Sequence, residues 1–189
     1  EIRNCDWSSD VCSSDLNAES LQKMPADDFF AAWKNHLQTF HPEFIQQFDD
    51  AQLRQLAGMY QPRCRTLSDP VESAKFFVLA DDALVYDAKA WNKNVGPAGS
   101  PGHTTLSQVA EVLRNLPDWS PTAIHNALEQ FATGAGKKIG DVAQPLRVAV
   151  TGTAVSPAIQ DTLALLGKDS TLKRIEKCLA FTPGSPASA

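Results

Sequence analysis

The stretch that decides the fold is Pro145–Phe181, PLRVAVTGTAVSPAIQDTLALLGKDSTLKRIEKCLAF. Ser156 followed by Pro157 reads as an N-cap and first helical residue. A serine oxygen can accept from an orphan amide, and proline's fixed φ suits a first turn. Ile159, Leu163 and Leu166 then recur at i, i+4 and i+7, and Gly167 can take the left-handed conformation that closes a helix. Ser170 is predicted to open a second helix with Leu172, Ile175 and Leu179 inward and Lys173, Arg174 and Lys177 outward. Two short amphipathic helices cannot bury their apolar stripes alone, so the rest of the chain is expected to supply a helical body.

Upstream, Asp141 is predicted to cap a helix that runs through Pro145 and ends at Gly152. Val142, Leu146, Val148 and Val150 carry strand propensity, but the helical surroundings favour a helix. Arg147 stands inside this apolar run, and its charge needs either water or an anionic partner. Before it, Gly134–Asp141 (GAGKKIGD) has glycines and lysines without the spacing of a phosphate-binding P-loop, and no strand precedes it. Lys137 and Lys138 are then either a solvated turn or contacts to a nucleic-acid backbone. Two further helices are expected, over His103–Leu116 and from the Ser120–Pro121 start to Gly134.

Val95–Gly102, VGPAGSPG, cannot continue a helix and is taken as the boundary between two subdomains, 17–95 and 96–182. In the first, Pro25 opens a helix with Phe29, Phe30, Trp33 and Leu37 along one side. Pro42 opens a shorter one, Asp49 or Asp50 caps a third, and Thr66 or Ser68 caps a fourth. The Phe76–Phe77 pair and Trp91, on a short helix over Tyr86–Asn94, are read as core. His36 and His41 lie close in sequence, but no carboxylate or cysteine pattern accompanies them and no metal site is predicted. Residues 183–189 read as a disordered tail.

Residues 1–16 fit nothing that follows. Cys5–Leu16, CDWSSDVCSSDL, has no apolar periodicity and resembles the translation of a sequencing adapter. It is set aside as a foreign extension, with a short Cys5–Cys12 disulfide segment as the alternative. This extension carries −3 of the formal charge of −5. What remains is mildly acidic, which argues against non-specific nucleic-acid binding but not against reading a few exposed bases through a local basic face. Cys64 and Cys178 show no metal or disulfide spacing, consistent with a reducing cytosolic setting. No apolar run reaches membrane-spanning length.

The segments PLRVAVTG, SPAI and LALLGKDSTLKRIEKCLAF, with QPRCRTL at Gln61–Leu67, resemble the carboxy-terminal end of bacterial glutamyl-tRNA synthetases from about Asn17 to Phe181. The resemblance implies an all-α fold of two small helical subdomains that form an anticodon-binding cage. It also implies a fragment. The His-x-Gly-His and Lys-Met-Ser-Lys signatures of the catalytic half do not occur here, so no catalytic residue is predicted in this chain. This chain is expected to bind no cofactor, ATP and Mg²⁺ belonging to the missing domain.

By the same resemblance, Arg63 matches an arginine that contacts the third anticodon base, while Arg65 is more often lysine. Arg147 matches an arginine lining the anticodon pocket. Ser156, Pro157 and Ile159 match positions at the next helix start that touch anticodon bases, with leucine common where Ile159 stands. Lys137, Lys138, Lys173 and Arg174 become candidate contacts to the tRNA backbone. The implied partner is tRNA(Glu), the parent enzyme a cytoplasmic monomer with no membrane association. The competing class is a non-catalytic helical module that docks another protein.

Overall fold

The computed structural model describes residues 18–182, and among them all regular structure is helical. The expectations for residues 1–16 and 183–189 lie outside the described residues. After a helical stretch over 18–23 come α1 (Ala26–Phe40), α2 (Pro42–Gln47), α3 (Asp50–Tyr60), a 3₁₀ turn (Gln61–Arg63), α4 (Asp69–Ala74) and a second 3₁₀ turn (Lys75–Phe77). Then follow α5 (Ala88–Asn94), α6 (Pro101–Arg114), α7 (Pro121–Gly134), α8 (Ile139–Thr151), α9 (Ile159–Leu166) and α10 (Lys168–Ala180). The all-α expectation holds, including a helix through Pro145 despite the strand propensity of its β-branched residues.

The chain forms two compact units that divide between Val78 and Leu79. In the first, α1 buries Phe29, Phe30, Trp33 and Leu37, the stripe expected from their spacing. Phe44, Leu53, Leu56, Phe76 and Phe77 join this core, with Phe48 meeting Phe77 edge-on at 6.0 Å. Asp49 makes a reciprocal capping box with Gln52 at the start of α3.

The second unit begins before the glycine-rich stretch at which the sequence placed the boundary. Residues 79–95 belong to it because their aromatics enter its core. The Tyr86 hydroxyl donates to the Arg174 carbonyl at 3.3 Å and the Trp91 indole to the Cys178 carbonyl at 3.4 Å. Both rings also pack on Phe181. Val95–Gly102 is a tight connection between α5 and α6. Ser100 caps α6 by accepting from the His103 amide, and its hydroxyl donates to the Val95 carbonyl. A Cβ at Gly102 would lie 2.0 Å from the Asn94 carbonyl oxygen, so only glycine permits this approach.

Helix α8 packs with α5, α6, α7, α9 and α10. Over Val142–Thr151 every residue is buried except Gln144 and Arg147. Burial on nearly all sides explains why strand-prone valines are helical here, since tertiary packing outweighs their modest propensity. Helix α8 stops at Gly152, whose φ of +79° and approach to the Val85 carbonyl (2.2 Å from a built Cβ) leave no room for a side chain.

Candidate nucleic-acid interface

Gln144 and Arg147 are three residues apart, so both emerge on one face of α8. Arg147 is half-buried. Its Nε donates to the Ser156 hydroxyl at 2.8 Å, and an Nη donates to the Pro157 carbonyl at 3.5 Å. The turn between them is laced: the Thr151 hydroxyl donates to the Arg147 carbonyl, the Thr153 amide to the Thr151 oxygen, and the Thr153 hydroxyl to the Val155 carbonyl. A guanidinium held this way has little rotamer entropy left to lose on meeting a ligand.

The Ser156–Pro157 pair is not the helix start that its sequence suggests. Helix α9 begins at Ile159, its N-cap is Ala158, and no side chain caps it. Ser156 lies too early to reach the first-turn amides and instead accepts from Arg147. The first turn of α9 therefore keeps its amide donors and partial positive charge uncovered by any cap side chain. Pro157 and Ile159 are buried, Ile159 only 6 % exposed. The apolar surface expected of them faces the core, where Ile159 opens the buried stripe of α9. What the tip presents to solvent is Arg147, Ser156, Ala158 and Val155, the last 79 % exposed.

The two basic pairs split. Lys138 is exposed at the N-cap position of α8, with its amide donating to Asp141, while Lys137 is half-buried and lines a surface cavity. Helix α10 starts at Lys168, two residues earlier than Ser170, after Gly167 with φ +84°. On it Lys173 is exposed, but Arg174 is only 1 % exposed, against the outward orientation expected. The Arg174 guanidinium donates to Asp81 at 2.7 Å and to the carbonyls of Val150 and Leu79. Its spacing from Ile175 and Cys178 puts it on the buried stripe, where Asp81 supplies the counter-charge. Arg174 holds the fold and offers no surface to RNA. Lys177, also expected outward, donates to the carbonyls of Asp82 and Leu84.

Arg63 lies in the first unit, exposed at the end of the Gln61–Arg63 turn. The loop that carries it is tied at both ends. The buried Gln61 side chain donates to the carbonyls of Leu21 and Met24, and Gln22 donates to the Cys64 carbonyl. Downstream, Asp69 accepts from the amides of Arg65 and Thr66 and from the Thr66 hydroxyl. Burial pushes the Asp69 carboxyl up, but these hydrogen bonds and the Arg65 charge outweigh it and hold the group below its ordinary value. Phe76 and Phe77 are buried, in agreement with their reading as core.

Among the described residues no cluster of histidine, cysteine or acidic side chains could hold a metal ion, and no helix is long and apolar enough to cross a membrane. The sequence did not single out Gln144. The signal was present, in that Gln144 and Arg147 are the only polar side chains in an apolar run and sit at i and i+3.

In the second unit, a tethered arginine, Arg147, beside an uncapped helix start is suited to holding an acceptor-rich, unstacked ligand. Residues 28–179 match the family described as "Anticodon binding domain", and the chain belongs to that family. The chain is 40 % identical over 135 residues to glutamate–tRNA ligase 1 of Alkalilimnicola ehrlichii, covering 71 % of this chain and 28 % of that protein. It is 36 % identical over 165 residues to glutamate–tRNA ligase 1 of Methylobacterium sp. (strain 4-46), covering 85 % and 34 %. The chain thus spans about a third of the length of these curated relatives. The crystal structure of a glutamate tRNA ligase from Elizabethkingia meningosepticum shares the fold, with a TM-score of 0.75, 24 % identity, and coverage of 88 % of this chain and 31 % of that one.

Proposed function

We propose that this chain is the anticodon-reading part of a glutamate–tRNA ligase and that it recognises the anticodon of tRNA(Glu). The ATP- and Mg²⁺-dependent attachment of glutamate would then belong to the remainder of the enzyme, which acts in the cytoplasm as a monomer. The observation that carries the reading is the Arg147–Ser156 tether beside the uncapped start of α9. A nucleobase splayed out of its stack presents carbonyl oxygens and ring nitrogens. The guanidinium, held by Ser156, and the first-turn amides of α9, which no side chain caps, are donors suited to it, so little ordering is needed when the base arrives.

Arg63 serves the same recognition from the first unit, where the Gln61 and Asp69 ties hold its loop. Lys137, Lys138 and Lys173 add positive charge that draws in the phosphate backbone. Arg63→Ala and Arg147→Ala are each expected to weaken binding of tRNA(Glu) by about 1–3 kcal/mol, the cost of one lost charge-assisted hydrogen bond. Filter binding at several salt concentrations tests this. Unchanged affinity in both variants, or salt-insensitive binding, would contradict the reading.

A further inference from the structure

Two adjoining surface cavities run along α5 and α8 of the second unit, with volumes of about 570 and 490 Å³. They share Lys93, Asn94 and Gln144, so they form one continuous trough. Lys137 and Thr105 line one end. Lys89 and Ala154 line the other, and Ala154 stands two residues before Ser156, while Gln144 is one turn before Arg147. One end of the trough therefore adjoins the tip formed by Arg147 and Ser156.

The charges in this trough are unevenly committed. Its two carboxylates already cap helices, Asp87 accepting from the Ala90 amide at 2.6 Å and Asp141 from the Lys138 amide at 3.3 Å. Its lysines are not spent in that way. Elsewhere Lys34 pairs with Asp50, Lys75 with Glu72, and Lys168 and Lys177 donate to backbone carbonyls. Among the described residues, Lys89, Lys93 and Lys137 form no ion pair.

We propose that this trough carries the sugar–phosphate backbone of the RNA strand that continues from the bases read at the Arg147–Ser156 tip, with Lys89, Lys93 and Lys137 facing successive phosphates. The proposal rests on the anticodon-reading function above and extends it to the flanking nucleotides. Lysine suits this task, because an ammonium meets a phosphate as a point charge and tolerates variation in strand position. Asn94 and Gln144 add amide donors and acceptors along the floor, which suit ribose hydroxyls.

The test is filter binding of the full chain to an RNA hairpin carrying the tRNA(Glu) anticodon loop and to the same hairpin with a substituted anticodon. Lys89 and Lys93 are exposed, so Lys89→Gln/Lys93→Gln is expected to fold, which circular dichroism checks before binding is read; Lys137→Gln provides an independent variant. Loss of two phosphate contacts should lower the slope of log K against log salt by about 1.4, at roughly 0.7 per contact on a single strand. Affinity should fall by the same factor for both hairpins, since phosphates carry no sequence information. An unchanged slope in both lysine variants, with Arg147→Ala still weakened, would overturn the trough and leave the anticodon reading intact. A loss confined to the matched hairpin would also overturn it. Unchanged binding in the lysine and arginine variants alike would remove the trough together with the reading on which it rests.

Discussion

Arg147 on α8 and Ser156 nine residues later are joined by a hydrogen bond of 2.8 Å from guanidinium Nε to hydroxyl oxygen. Ser156, too far before α9 to cap it, instead holds the arginine, and α9 starts without a capping side chain. Ser156→Ala should therefore loosen the guanidinium without exposing the core. The expected loss of RNA affinity is about 0.5–1.5 kcal/mol, one ordinary hydrogen bond, and smaller than that of Arg147→Ala. Titration of both variants with labelled tRNA(Glu) checks the ranking. Equal or larger loss in the serine variant would mean that the hydroxyl itself meets the base.

Adjacent residues on α10 should behave oppositely. Arg174 is buried against Asp81 and two carbonyls, so Arg174→Met should cost about 3–5 kcal/mol by leaving those acceptors unpaired. Lys173→Ala should leave stability within about 0.5 kcal/mol, as for most surface changes. Urea unfolding of the pair, followed by circular dichroism, measures both.

This contrast marks how far the sequence could be read. Helix positions followed from apolar spacing and from caps such as Asp49 and Ser120, because those signals are local. The orientation of Arg174 was not legible. Its position on α10 borders both faces, and the deciding partner, Asp81, is 93 residues away in sequence. The Ser156–Pro157 pair misled because a serine–proline step has the chemistry of a cap, but the helix starts at Ile159 and the serine oxygen accepts from Arg147, nine residues earlier. Ile159 is buried rather than open to a base. Arg147 itself was legible as the odd charge in an apolar run, and Gln144 should have been noticed with it.

Gly152 closes α8 at φ +79°, with the Val85 carbonyl where a Cβ would sit. Gly152→Ala combines left-handed strain with a backbone clash and should destabilise the second unit by more than about 1 kcal/mol. Thermal melting of the variant gives the direct comparison. A wild-type melting temperature would show that the Val85 segment shifts freely.

The Asp69 carboxyl is held below its ordinary value in the folded chain. Its contribution to stability is thus present above the unfolded value, about 3.9, and is lost as pH falls through the folded value. The difference in urea midpoint between wild type and Asp69→Asn should be largest near neutral pH and shrink below about pH 4. A difference that grows on acidification would contradict the sign.

Burial pushes the Cys178 thiol up to about 12, only partly countered by Trp91, and burial likewise raises Cys64. Both should resist alkylation at neutral pH, where the reactive thiolate is scarce, and react only on unfolding. Peptide mass spectrometry after iodoacetamide treatment, with and without urea, distinguishes these two sites from other cysteines.

The central claim is that Arg147 reads an anticodon base, and a two-by-two binding experiment tests it most directly. Wild type and Arg147→Ala are each titrated with the glutamate-anticodon hairpin and with a hairpin of substituted anticodon. The account predicts that wild type prefers the matched hairpin by roughly tenfold or more and that the variant loses most of that preference, as expected for a contact of 1–3 kcal/mol. A preference that survives intact in Arg147→Ala, or that is absent from wild type, would contradict it.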